Sequence, residues 1–207
     1  MKKLVPLILS LLFAFASCSN GSDDSSGSGY SSVKPSTAFT SAESSTTWTE
    51  GNGKPSNVSS LVGTWNITGF EEATYLANGK SYPFCGDVTG SAVVNANENI
   101  TITITETVSD NALQNIANMY SDLGGTTITK EQTWSLLRQT ISGAVFSYGS
   151  PYTIKQTKNY TLNQIFTTTE TDKYFSGANG SYKFVSAKRQ SDSGITTISK
   201  ETLILQK

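Results

Sequence analysis

The chain of 207 residues contains no histidine. Histidine is the commonest general base near neutral pH and a leading ligand for zinc, copper and non-haem iron. Its absence excludes Ser-His-Asp and Cys-His nucleophile arrangements and most zinc and haem sites. Carboxylate-only or Ser-Lys chemistry is left, and no spacing of residues favours either. Cysteine is nearly as scarce, with Cys18 and Cys85 alone. Charged residues make up 15% of the chain and nearly cancel, to a formal net charge of -1. There is therefore no basic footprint for nucleic acid and no block of like charge. Lys188-Arg189 is too small a patch to alter that, and Asp87, Asp110 and Asp122 lack cation-loop spacing. The expectation is a protein with no catalytic residues, no metal and no cofactor, and hence not an enzyme.

What is present begins with a leader. Lys2 and Lys3 precede an apolar run over residues 4–16, too short to span a bilayer and of the form of an export signal. The run ends Phe15-Ala16-Ser17-Cys18, which resembles a bacterial lipobox and departs from it at Phe15, where Leu is usual. That resemblance implies a signal peptide over 1–17 and a lipidated Cys18 as the new N-terminus. Ser19 behind it, by resemblance to the sorting pattern of enteric bacteria, implies the outer membrane or cell surface. Residues 18–58 are rich in Ser, Gly, Thr and Asp without sustained apolar periodicity, which predicts a flexible tether. The partner so implied is a membrane, reached through the lipid on Cys18, and the domain is expected to be a monomer. Cys85 is left as a small buried hydrophobe.

From residue 59 to 207 the sequence reads as one β domain. Residues 62–70 predict a first strand with Gly63 and Trp65 on one face, and 73–77 and 80–84 flank Asn78-Gly79, a strong hairpin signal. Glu71-Glu72 reads as a solvated bend between strands, because adjacent strand residues point to opposite faces. Residues 89–95 predict a further strand. In 99–108 Ile100, Ile102, Ile104 and Val108 alternate with threonines, the pattern of a sheet with one dry side. The period then becomes helical over 111–123 and again over 130–141, where Thr129 and Gln132 resemble a capping box. Strands are predicted over 152–158, 160–170, 180–190 and 194–206. Consecutive hairpins of this kind predict a mainly β fold: an antiparallel up-and-down β-barrel of about eight or nine strands with a short helical insertion.

The start Leu61-Val62-Gly63-Thr64-Trp65, a domain of about this size and the terminal strand ending Thr202-Leu203-Ile204-Leu205-Gln206-Lys207 resemble the lipocalin-like lipoproteins of bacteria, relatives of the calycin β-barrels. Thr171-Asp172-Lys173 is a loose counterpart of a Thr-Asp-Tyr turn in some lipocalins, and the 111–142 segment is a departure from the family. The resemblance implies that Gly63 and Trp65 form a structural plug at the closed end of the barrel. A cation from Lys188, Arg189 or Lys200 would lie over the indole. It further implies an interior site for a small apolar or amphipathic ligand, with Tyr75, Ile102, Ile104, Phe166, Tyr182 and Phe184 as inward-facing residues. The alternative is a surface binding or structural module for a protein, glycan or envelope component, built on a filled barrel.

Overall fold

A computed structural model describes residues 34–124, 126–149, 151–192 and 194–207. The predicted export signal, Cys18 and the first part of the tether lie outside the described residues. Nine strands form one sheet: β1 (Trp48–Glu50), β2 (Gly63–Ala77), β3 (Lys80–Val94), β4 (Asn99–Val108), β5 (Val145–Ser147), β6 (Tyr152–Thr161), β7 (Asp172–Gly177), β8 (Tyr182–Asp192) and β9 (Ile195–Gln206). Among the described residues the helices are α1 (Thr37–Ser44), α2 (Asp110–Gly124), α3 (Lys130–Thr140) and the single turn α4 (Leu162–Ile165), with a 3-10 turn at Val58–Ser60.

The longest pairing is the β2/β3 hairpin, in register from Ala77 opposite Lys80 to Gly63 opposite Val94. Asn78 and Gly79 take φ of 51° and 73°, the positive values that a tight two-residue hairpin turn requires. The strand carries straight through Glu71-Glu72, so the expected bend there is absent. Glu71 is instead buried within β2, at 5% exposure. All neighbours are antiparallel, in the order β1-β7-β8-β9-β2-β3-β4-β6-β5.

The ends of that order overturn the barrel. β1 and β5 are free edges, and the sheet is not closed, so neither the calycin-type fold nor the two functional readings built on a barrel stand. The reason lies in the chain after β6. Residues 160–170, expected as a strand, leave the sheet at Thr161. The Thr161 hydroxyl accepts from the Gln164 N–H at 3.4 Å, and the Thr161 N–H donates to Gln164 Oε1 at 2.7 Å, a capping box that starts α4. A Thr169 to Asp172 turn, in which the Asp172 N–H donates to Thr169 Oγ1 at 2.9 Å, then delivers the chain into β7. β5 covers only residues 153–155 of β6 and β1 only 175–177 of β7. Among the described residues, a seam between β6 and β7 is left without strand pairing.

The helices form where their periodicity predicts, and the Thr129/Gln132 capping box is present. α2 and α3 lie over one end of the sheet's inner face, where Leu113, Ile116, Met119, Trp134 and Leu137 pack with Tyr75, Tyr82, Phe84 and Ile154. Order also begins earlier than the tether composition suggests. Ser36 caps α1, and Phe39 stacks on Phe70 at 6.0 Å between ring centroids, covering the outer face of β2 and β9 beside Ile204 and Cys85. Trp48 on β1 lies 4.9 Å from Lys183 Nζ. Phe39 and Trp48 look isolated in the sequence, and each meets a partner that only the sheet supplies.

At the other end of the inner face Trp65 is 3% exposed, donates its indole N–H to the Leu61 carbonyl at 2.8 Å and meets Tyr182 edge-on. Its cation is Lys207, 4.8 Å from the ring centroid, and not Lys188, Arg189 or Lys200. The Lys207 ammonium also donates to the Val62 carbonyl at 3.1 Å. Gly63, with φ of 125°, holds a backbone conformation that a side chain would strain.

Candidate functional site

Strand register places one residue in two on the inner face, and reading across the pairs gives three layers. At one end lie Trp65, Ile67, Ala92, Val94, Ile100 and Leu205. At the helix-covered end lie Tyr75, Tyr82, Phe84, Val108 and Ile154. Between them runs a polar belt. Glu71 of β2 stands directly opposite Glu201 of β9, and Ser186 of β8 is opposite Glu201 on its other side. Glu106 of β4 lies across β3 from them. It faces the gap at Gly86, where an added Cβ would come within 2.7 Å of Glu106 Oε1. Directly opposed residues on one face have Cβ atoms about 5 Å apart, so these carboxyls interact.

The belt is dry. Glu71, Glu106 and Glu201 are 5%, 3% and 9% exposed. Burial pushes the Glu106 carboxyl up to about 7 and the Glu201 carboxyl up to about 8, the latter with repulsion from Glu106 added and with Lys158 and Lys188 pulling the other way. Burial raises Glu71 well above the ordinary carboxylate range, and the charges of Glu106 and Glu201 raise it further. Burial also lowers Lys158 from its usual value, against the attraction of Glu201 and Glu71. Several polar atoms in or beside this belt are buried without a hydrogen-bond partner: Glu106 Oε1, Ser186 Oγ, Thr197 Oγ1, Ser199 Oγ and Tyr75 Oη. Native interiors leave few such groups, and a cluster of them marks a place where water or a ligand completes the bonding.

The Glu201 side of the belt is reached through the seam. A cleft of about 420 Å³ runs between β6, α4 and the following loop on one side and β7, β8 and β9 on the other. Its walls are apolar at Ile102, Ile165, Phe184, Leu203 and Leu205 and polar at Glu201 and Lys188. A smaller space of about 80 Å³, floored by Ile104, Gln156 and Lys158, shares Ile102, Tyr160, Glu201 and Leu203 with it and extends it inward.

Of the expected pocket residues, Ile102, Ile104 and Phe184 line this space. Phe166 and Tyr182 line a corner beside Trp65 of only about 10 Å³, room for one water at most. Tyr75 belongs to the helix-covered core. Glu71, Glu106, Glu201, Lys158 and Ser186 were not expected, although a signal for two of them exists. Glu106 falls in phase with Ile100, Ile102 and Ile104, and Glu201 in phase with Leu203 and Leu205, so each carboxyl lies on an otherwise apolar face. Among the described residues no group of three or more His, Cys, Asp or Glu is placed to hold a metal ion. The site can host an apolar body against its wall and exchange protons or charge at its inner end. No protein-family model matches the chain, and no curated protein matches it in sequence.

Proposed function

We propose that the protein is a binding protein for a small amphipathic molecule, which enters the seam between β6 and β7 and lies in the cleft with its polar head toward Glu201. The supporting observation is the cleft itself. Its volume of about 420 Å³ is in the size class of small-molecule sites, and it joins an apolar wall to a few convergent polar groups. This is a groove in an open sheet, entered from the side, rather than the mouth of a closed barrel. The reading includes a place of work: lipid on Cys18 would hold the protein on a bacterial outer membrane or cell surface, since each buried methylene of an acyl chain contributes about 0.8 kcal/mol and several chains anchor stably.

The test uses residues 19–207, which retain every described residue, and the uncharged fluorophore N-phenyl-1-naphthylamine. The expected result is saturable binding with enhanced emission, abolished by Leu203→Trp, which fills the cleft. Absence of saturable binding to the folded protein, or equal binding by Leu203→Trp, would overturn the reading.

A further inference from the structure

We propose that the belt at the inner end of the cleft is a site for a primary ammonium group, so that the molecule bound is a small alkyl or aryl amine. This deepens the ligand-binding reading of the cleft and rests on it. Three carboxyls from three strands, Glu71, Glu106 and Glu201, face one another within the belt, and two lysines, Lys158 on β6 and Lys188 on β8, face them. Acid groups exceed basic ones. Once the carboxyls ionise, a cation entering beside Glu201 relieves their mutual repulsion, whereas an anion adds to it.

The hydrogen-bonding inventory points the same way. Glu106 is 3% exposed, and its Oε1 is buried without a partner. Ser199 and Thr197 are each 1% exposed, and their hydroxyl oxygens are likewise without partners. All three lie on the inner face, Ser199 one inward-facing position from Glu201 along β9 and Thr197 one further, opposite Tyr75. The unpartnered atom on a residue that borders the cleft itself is Ser186 Oγ, directly opposite Glu201. An ammonium in the cleft brings three donors to Glu201 and to the unpartnered Ser186 Oγ opposite it, and a neutral hydroxyl brings one. Glu201 borders both the cleft and its inward extension, so of the three belt carboxyls it is the one an incoming head group meets.

The titratable groups around Glu201 set the pH dependence. Glu71, Glu106, Lys158 and Lys188 act on it directly, and Tyr160 on β6 feels its charge. Asp172 and Lys173 of β7 stand at the cleft entrance, and Tyr75 and Tyr120 stand behind Glu71. With Glu106 raised to about 7 and Glu201 to about 8, the belt gains negative charge as pH rises through that range, and amine binding strengthens with it.

The experiment displaces N-phenyl-1-naphthylamine from residues 19–207 with octylamine, octanol and octanoate, three ligands that differ only in the head. At about pH 8.5 octylamine is expected to displace at about tenfold lower concentration than octanol, the ratio of a charge-assisted bond to a neutral one. The ratio should fall to about threefold or less at about pH 6. Glu201→Gln lowers the ratio at the higher pH, and Lys158→Met, which removes a competing cation, raises it. Octylamine and octanol displacing equally at both pH values, or octanoate displacing best, would overturn the proposal while leaving the cleft a ligand site. Failure of the fluorophore and of all three octyl compounds to bind would overturn both readings.

Discussion

Glu106 and Glu201 ionise in the unfolded chain near the ordinary carboxylate value of 4.5 but hold their protons to about 7 and about 8 when folded, because burial disfavours the charge. The folded state therefore binds more protons between those values, and stability falls as pH rises from about 4.5 through about 8. Below the lower value both states are protonated and the contribution is complete. Glu201→Gln removes the titration. Its expected effect is a gain on the order of 1–3 kcal/mol at about pH 8.5 and little change at about pH 5, read from urea unfolding at the two pH values. A pH-independent difference would show that Glu201 is ionised in the folded protein. Gly90 illustrates the opposite kind of constraint. A Cβ there would lie 2.1 Å from the Thr103 carbonyl oxygen, backbone that cannot rotate away. Gly90→Ala should cost about 1–3 kcal/mol by the same urea measurement.

At the scale of elements, two Thr-x-x-Gln boxes act alike but differ in legibility. Thr129 and Gln132 precede a helix with apolar residues at helical spacing, so the box is legible in the amino-acid order alone. Thr161 and Gln164 have the same chemistry but follow the strand pattern of β6, and only four residues of helix come after them. Period-2 alternation running into the box masked it. The box matters because it turns the chain off the sheet and creates the seam. Thr129→Ala is expected to cost about 1 kcal/mol of stability. Thr161→Ala should chiefly raise amide hydrogen exchange over residues 162–166, with the β2/β3 hairpin unchanged; uniform exchange would show that α4 unfolds only with the whole domain. α1 was hidden for a different reason. Its burial consists of Phe39 and Ala42 against Phe70 and Ile204, a contact with no local periodic signature in a Ser-rich segment.

For the whole molecule, the arrangement is an open sheet whose inner face is apolar at both ends and charged between them, with an entrance along the unpaired seam. The proposed anchoring is tested at the same scale. With the lipid on Cys18, the wild-type chain expressed in a bacterium is expected to incorporate labelled palmitate and partition into detergent, and Cys18→Ala to lose the label. Palmitate incorporation unaffected by Cys18→Ala would place the modification elsewhere.

By itself the amino-acid order determined which residues share a strand face, where the Asn78-Gly79 turn falls, where α2 and α3 start, and that histidine chemistry is excluded. These are local properties, set by a period of two or 3.6 residues and by the backbone preferences of single residues. The open seam and the meeting of Glu71, Glu106 and Glu201 were decided only by the tertiary structure. Periodicity says which way a side chain points but not which strand lies opposite. That neighbour is set by the register of strands far apart in the chain, so Glu71, read with Glu72 as a solvated bend, joins Glu106 and Glu201 in one titratable belt only when the sheet assembles.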